Sequence, residues 1–259
     1  MSTANTTDSS TGTSTGSTDT TSNTAHAAGN ITSVLMGRAD SYRMFSRIFL
    51  KPLSETDIDD LAAIDFASVV EALGEHGLLS EGFKDMGSVL KKRHSGTRQK
   101  LATDFTMCFD GVAALGEQVA VPYASVFLGE KALLYQEPRH KVFKIFQAES
   151  ISLKSDIKLP EDHLSFELEF LAILSSRILA ALEQGNRDEA LRNLELSREF
   201  INEHILTWLD LLKERADKIL TTRFYRGALK ATKGYLELDL GMIDDLIEVV
   251  RDGHDDGHD

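Results

Sequence analysis

The sequence predicts an all-α protein, a single globular bundle of about nine to eleven helices. Apolar residues recur with a helical spacing of three to four positions through most of the chain, and few segments show the period of two that marks a half-buried strand. The four prolines each fall between two apolar segments, where helices are expected to begin or end. They are Pro52, Pro122, Pro138 and Pro160.

The helices predicted before residue 150 begin with one that ends near Pro52 and carries aromatic residues on one face. A second is expected to start at Asp57, whose carboxylate can cap it, and to run to Gly74. Further helices are predicted around residues 83–90, 101–109 and 126–134 and from Pro138 onward.

A polar connection near residues 149–161 is expected to be a hinge that joins two halves of the bundle. The segment after it, from about Leu164 to Leu182, is apolar on most faces, so it should form a central, buried helix. Gly185 and Asn186 are expected to end this helix. The remaining predicted helices cover residues 200–212, 224–240 and 242–250.

The two ends of the chain are expected to lack a fixed structure. Residues 1–30 are almost entirely Ser, Thr, Gly, Ala, Asn and Asp, so they cannot bury enough apolar surface to offset the entropy of ordering. The predicted organisation is therefore a disordered leader at 1–30, a helical half at 31–150, a second at 151–250 and a flexible acidic tail at 251–259.

Composition excludes several classes of partner and location. With 28 Lys and Arg against 41 Asp and Glu, the net charge is −13, which argues against nucleic acid or an anionic membrane as a partner. No run of about 18 apolar residues predicts a membrane span, and residues 1–30 do not resemble a secretion signal. Cys108 is the only cysteine and is expected to lie in the core. The expected location is the cytoplasm.

No motif of an enzyme stands out. The sequence has no GxxxxGK[ST] phosphate loop and no GxGxxG, and its GxSxG match at residues 12–16 lies in the Ser/Thr-rich leader, where no strand-to-helix elbow is predicted. Helical metal centres usually need Glu-x-x-His on two helices, whereas this sequence has the pattern once, at residues 137–140. Its terminal Gly-His-Asp-Asp-Gly-His-Asp could bind a divalent ion only weakly. We therefore predict no catalytic residue, no metal and no cofactor.

The segment 159–170 gathers ionisable groups directly before the predicted central helix. In one interpretation they are structural: Asp162 caps the helix and Glu161 adds charge at its positive end. His163 and Glu167 would then form a pair four residues apart. In the other interpretation the carboxylates and the imidazole form a recognition site at the hinge.

Five segments, in order, resemble the TorD/DmsD family of chaperones that mature molybdenum-containing reductases. Residues 160–170 are similar to its Pro-x-Asp-His signature followed by Glu-Leu-Glu-Phe. The other four similar segments are 38–52, 104–111, 122–128 and 200–209 with 224–225. The chain departs from the family pattern at Met107-Cys108, Ala124 and Phe127.

The resemblance implies a cytoplasmic chaperone without catalytic activity. Such a chaperone binds the twin-arginine signal peptide and the apo form of a molybdopterin oxidoreductase until the cofactor is inserted. The resemblance assigns recognition to Asp162, His163 and Glu167, with Tyr123 and Ser125 as second candidates.

The same resemblance leaves guanine nucleotide as an optional ligand and a monomer or homodimer as the assembly. Two alternatives remain open from the residues. One is a helical adaptor without a role in export, and the other is an enzyme that uses His163 and Glu167 as acid and base.

Overall fold

The computed structural model of the protein describes residues 19–74, 77–112, 120–130, 133–154 and 158–252. Within these ranges the chain forms eleven α-helices and one π-helical segment, and its only β-pairing is an isolated bridge, which confirms the all-α prediction. None of the described helices is both long enough and apolar enough to cross a membrane. The elements are α1 (Asp19–Leu50), α2 (Glu55–Ala62), α3 (Phe66–Leu73), α4 (Leu78–Lys91), α5 (Thr97–Cys108), α6 (Ala124–Leu128), α7 (Glu137–Ala148), α8 (Leu164–Glu183), α9 (Arg187–Phe200), the π segment (Ile201–Ile205), α10 (Leu206–Asp217) and α11 (Arg223–Asp252).

Helix α8 is central, as the sequence predicts, and most of its side chains are buried. It packs along α1, while α4 packs along α11. Each pair joins a helix from before residue 150 to one from after residue 161, so the two predicted halves share one apolar core. The boundaries of these halves, 31–150 and 151–250, stay predictions.

Helices α4 and α11 approach each other closely because glycines stand where they cross. A Cβ atom on Gly227 would lie 2.7 Å from the carbonyl oxygen of Gly82 and 2.8 Å from Cβ of Asp85. A Cβ atom on Gly82 would collide with the backbone of Gly227 and Ala231, and one on Gly234 with Leu79. Side chains at these glycines would therefore push the two helices apart.

A buried ion pair fastens α1 to α11. Arg38 Nε lies 2.6 Å from Asp239 Oδ1, and Arg38 Nη2 lies 2.8 Å from Oδ2. The Tyr42 hydroxyl donates a third hydrogen bond to the same carboxylate at 2.5 Å. Because all three side chains are buried, the carboxylate of Asp239 depends on these partners rather than on water.

The predicted helix from Asp57 to Gly74 is in fact two helices, and its predicted cap is wrong. Ser54 is the N-cap of α2, since its hydroxyl accepts from the Asp57 backbone N–H while the Asp57 carboxylate accepts from the backbone N–H of Ser54. Asp65 then starts α3 by accepting from the N–H of Ser68. Two capping carboxylates within nine positions explain the division into two short helices.

Three other helix boundaries also differ from prediction. The helix expected over 126–134 ends at Leu128, and the one expected over 200–212 is interrupted by the π segment. The segments 224–240 and 242–250 form one helix, α11, because Gly241 costs only about 1 kcal/mol inside a helix. Apolar packing beyond the glycine offsets that cost; the buried residues there are Ile243, Leu246, Ile247 and Val250.

Helix α1 begins at Asp19, inside the predicted disordered leader 1–30. Extension of an existing helix adds one hydrogen bond per residue ordered, so the packed part of α1 can carry turns that would not form alone. Residues 1–18 of the predicted leader and residues 253–259 of the predicted tail lie outside the described residues.

Candidate functional site

Two segments distant in sequence, residues 122–125 and 160–167, meet in an arrangement that we call the junction. The Ala124 N–H donates to the Asp162 carbonyl at 3.0 Å, and the Leu164 N–H donates to the Pro122 carbonyl at 2.9 Å. Between these bonds Tyr123 and His163 form an isolated antiparallel bridge. The junction thus brings together all five residues that the resemblance assigns to recognition.

The prolines explain why this contact forms. Pro122 and Pro160 interrupt the helical pattern, and the residues that follow them leave backbone groups outside any helix. Tyr123 and His163 both have extended backbone angles, with φ and ψ of −125° and 131° for Tyr123 and −77° and 132° for His163. Extended segments expose N–H and C=O groups, and here each segment satisfies the other.

His163, rather than Asp162, caps the central helix. The His163 Nδ1 atom accepts from the Ser165 backbone N–H at 3.1 Å, which places the ring proton on Nε2. The Asp162 carboxylate points to the other segment and accepts from the Ser125 N–H at 2.8 Å. Glu161 pairs with Arg139 instead of standing free at the helix end. The predicted capping role of Asp162 is therefore wrong.

Burial decides the protonation of the imidazole. It lowers the pKa of His163 to about 3, so the ring is neutral at neutral pH. The rings of His163 and Tyr123 pack edge to face with 4.7 Å between centroids. Burial, together with the Asp162 carboxyl group, raises the pKa of the Tyr123 hydroxyl to about 12. The junction thus holds two neutral aromatic groups beside its carboxyl groups.

The two carboxyl groups of the junction are short of hydrogen-bond donors. Asp162 Oδ1 is buried without a hydrogen-bond partner, and both carboxyl oxygens of Glu167 lack a hydrogen bond of normal geometry, although the Trp208 side chain interacts with this group. The predicted pair of His163 with Glu167 is therefore not formed. Burial and then the neighbouring Asp162 raise the pKa of Glu167 well above its usual range, while the Trp208 side chain opposes that shift. Burial likewise raises the pKa of Asp162.

Recognition of a partner, which the resemblance assigns to these five residues, would need them to be accessible, but the structure buries all of them. Tyr123 is the most accessible, with 8% of its surface exposed, and Asp162 and Glu167 are fully buried. An apolar groove of about 370 Å³ does exist, between α1, α3, α4 and α11. It shares no lining residue with the junction. Contact of the five residues with a partner thus requires the two segments of the junction to separate.

Comparison with known proteins identifies the family. The model of the nitrate reductase delta subunit family matches residues 76–214, which is more than half of the chain. The chain belongs to this family. It is similar to the chaperone protein TorD of Vibrio cholerae serotype O1, at 27% identity over 213 residues that cover 82% of this chain and 94% of the relative. TorD of Vibrio vulnificus is 28% identical over 205 residues, and TorD of Vibrio atlanticus 25% over 202; each match covers 78% of this chain and 92% of the relative.

Membership of the nitrate reductase delta subunit family confirms the resemblance to TorD-type chaperones that the five motifs indicate. The relatives are chaperones by name, so the prediction that the chain is not an enzyme agrees with them. Its alternative, an acid–base enzyme built on His163 and Glu167, also conflicts with the geometry, because both side chains are buried away from a substrate and His163 Nδ1 is engaged in the cap of α8.

Two neighbours of the junction in this TorD-type chain were not predicted as site residues. Trp208 faces Glu167 from α10, directly after the π segment, which adds a residue to the helical turn and so sets where the indole points. Arg139 binds Glu161 from α7, and only the structure reveals this pair, since 22 residues separate the two. The aromatic pattern at 200–209 includes Trp208, and its likeness to the family was the only available signal.

The structure also bears on two other kinds of site in this family member, a reactive cysteine and a metal centre. Cys108 is buried at the end of α5, and burial raises the pKa of its thiol to about 12, which suits a core residue rather than a nucleophile. Among the described residues, no three His, Cys, Asp or Glu side chains are placed to hold a metal ion. The His- and Asp-rich tail lies outside those residues.

Glu167→Gln is expected to stabilise the chaperone, and more so as the pH rises. The raised pKa means that the folded protein favours the protonated carboxyl group, so wild-type stability is full below the ordinary glutamate pKa and is lost as the pH rises through the folded value. Glutamine removes this loss and should gain at least about 1 kcal/mol at pH 8.5. Urea unfolding at pH 5.5, 7.0 and 8.5 measures the difference. Glu248→Gln, at an exposed position of α11, is the control and should leave the pH dependence unchanged.

Proposed function

We propose that this protein is a cytoplasmic, system-specific chaperone for a molybdopterin-dependent oxidoreductase. It binds the twin-arginine signal peptide and the apo form of the catalytic subunit, and it delays export until the cofactor has been inserted. The relatives named TorD chaperones support the chaperone role. The recognition residues are those that the resemblance assigns at the junction, with Asp162, His163 and Glu167 first and Tyr123 and Ser125 second.

The observation that carries the recognition step is the set of three buried carboxyl oxygens that lack a hydrogen bond of normal geometry. Asp162 Oδ1 and the two oxygens of Glu167 could accept such hydrogen bonds, which the described chain does not donate. A buried acceptor without a donor costs free energy, which a suitable ligand can recover. An arginine side chain carries five N–H donors in a planar array that matches carboxylates, and a twin-arginine leader supplies two such side chains.

Access to these oxygens requires the junction to open. Two backbone hydrogen bonds and the bond from the Ser125 N–H to Asp162 hold it closed. Each hydrogen bond is worth about 1 kcal/mol net, and opening also separates the packed rings of Tyr123 and His163. Charge-assisted arginine–carboxylate contacts and burial of the apolar part of the leader together have to offset this cost. In this proposal Tyr123 and Ser125 move with their segment and expose Asp162.

Capture of the precursor from cells tests the proposal. The tagged full chain is expressed in cells of its source grown with tungstate, so that apo reductase accumulates, and bound proteins are identified by mass spectrometry. We expect recovery of a molybdopterin reductase precursor with its leader intact. Asp162→Asn retains an acceptor for the Ser125 N–H but removes the charge, and it should reduce capture at least tenfold.

The control for this experiment is Glu203→Gln, which should capture as much precursor as the wild type. Recovery of no reductase would refute the proposed role. Equal capture of a precursor from which the leader has been deleted would refute leader recognition. The proposal includes no resident cofactor; guanine nucleotide binding and the choice between monomer and homodimer stay predictions.

A further inference from the structure

Arg139 is bound by its own chain in the way that proteins bind the arginine of a partner. Its Nε and Nη2 atoms donate to Glu161 Oε2 and Oε1 at 2.6 Å and 3.1 Å, a two-point contact with one carboxylate. Both side chains are partly buried, at 23% and 16% exposure. Such paired bonds fix the orientation of the guanidinium group as well as its position.

Two aromatic rings complete the surroundings of this guanidinium group. Its central carbon lies 5.0 Å from the ring centroid of Phe143 and 5.6 Å from that of Tyr135. Tyr135 has a φ of 61°, a left-handed conformation that residues other than glycine rarely adopt. We call Tyr135, Phe143 and Glu161 the arginine cradle.

The arginine cradle lies on an accessible, apolar part of the surface and adjoins the junction. Tyr135 and Phe143 are 60% and 37% exposed, and so are the nearby chain positions Leu133 and Leu159, at 58% and 38%. Glu161 immediately precedes Asp162, whose Oδ1 atom is buried without a partner. A carboxylate next to aromatic and aliphatic surface suits a peptide in which arginine precedes apolar residues.

We propose that the arginine cradle is a receptor for an arginine side chain of the client leader, and that Arg139 occupies it while no client is bound. The inference rests on the proposed function for the identity of the client. Arg139 then acts as an intramolecular competitor: a client arginine takes over the bonds to Glu161, and Arg139 moves into solvent. A competitor of this kind favours peptides that also make apolar contacts over isolated cations.

Emptying the cradle tests the receptor without any client. The full chain carrying Arg139→Ala is titrated with N-acetyl-arginine amide, and binding is followed through the amide resonances of Gln136 and Glu161. We expect saturable binding at least tenfold tighter than to the wild type. N-acetyl-lysine amide should bind at least tenfold more weakly, because an ammonium group cannot make the two-point contact. The double variant Arg139→Ala with Glu161→Gln should not bind.

The matched control is Arg198→Ala. Arg198 pairs with Asp244 at 3.1 Å on the exposed surface, and no aromatic ring is recorded over this guanidinium group among the described residues. Removing it frees a carboxylate without a cradle, so no saturable binding is expected. Binding to the control equal to that of Arg139→Ala, equal affinity for the lysine probe, or no binding to Arg139→Ala would each overturn the inference. Arg139→Ser is the second variant if alanine disturbs folding, which circular dichroism reports.

A second measurement separates this inference from the proposed function. In the capture experiment, Arg139→Ala should recover at least threefold more leader-bearing precursor than the wild type, because the competitor is gone. If the wild type captures precursor but Arg139→Ala binds no arginine probe, only the cradle is refuted. If Arg139→Ala binds the probe but no precursor is ever captured, the proposed identity of the client is refuted together with the proposed function.

Discussion

Arg38→Met is expected to destabilise the protein by about 3–5 kcal/mol, the cost typical of a buried charge that has lost its partner. The substitution keeps a long apolar side chain at the position but leaves the Asp239 carboxylate buried in the core with only the Tyr42 hydroxyl as donor. Chemical denaturation followed by circular dichroism measures the loss. The ion pair joins the first and last helices, so the effect should appear as a loss of global stability rather than fraying.

Replacing both charges separates the pair from its packing. Arg38→Met combined with Asp239→Leu removes the orphaned carboxylate as well, and it should recover most of the stability, because a buried ion pair is often no better than apolar residues of similar volume. The exposed pair of Arg198 with Asp244 provides the comparison, since Arg198→Met should cost less than about 1 kcal/mol. If Arg38→Met lowered the free energy of unfolding by as little as Arg198→Met, burial of the Asp239 carboxylate would not depend on its pairing with Arg38.

The second large effect is the response of the junction to acid. Burial lowers the pKa of His163 to about 3, against an ordinary value of about 6.5. The neutral ring stabilises the fold above pH 6.5, and this contribution is lost as the pH falls toward 3, at about 1.4 kcal/mol per pH unit. Between pH 6.5 and 4.5 the wild type should therefore lose roughly 2 kcal/mol relative to a variant without this ring. Protonation of Nδ1 would also break the cap on Ser165.

His163→Asn is the matched variant, because asparagine can accept from the Ser165 N–H and still cap α8. Urea unfolding at pH 7.0, 5.5 and 4.5 gives the free energy of unfolding of both proteins. The variant should be less stable at pH 7.0, where it lacks the contact with Tyr123, and the difference should shrink or reverse in acid. Asp162 and Glu167 titrate in both proteins, so their contributions cancel in the comparison to first order. If the free energies of unfolding of the two proteins changed in parallel with pH, protonation of His163 would not contribute to the loss of stability in acid.

Helical periodicity and proline positions were enough to predict the helical class and the buried helix α8, because both depend on local spacing. The division of the predicted second helix was less accessible, since Ser54 and Asp65 compete with Asp57 as caps and only the backbone shows which one is used. The crossing of α4 with α11 could not be predicted, because Gly82 and Gly227 are an ordinary pair of glycines until the fold brings them together.

The junction shows the same limit. Its five residues were named from a family resemblance, and the structure brings them together, but their burial was not foreseen. Whether Asp162 faces solvent depends on the contact with Ser125, which lies 37 positions away. Local chemistry at residues 159–170 favoured a helix cap at Asp162, and the distant segment gives that carboxylate another partner. Charge, exposure and pKa in this region are therefore properties of the assembled fold.

The pairing of α1 with α11 has a consequence for the folding of the protein during its synthesis. Arg38 and Asp239 are 201 positions apart, and the most extensive packing partner of α4 is a helix that begins at Arg223. During synthesis the early helices thus emerge with their apolar faces uncovered, and the core cannot close before α11 has left the ribosome. We therefore expect this chaperone to complete its own folding only at the end of synthesis. Nascent chains that stop short of Asp239 should be prone to aggregation and proteolysis.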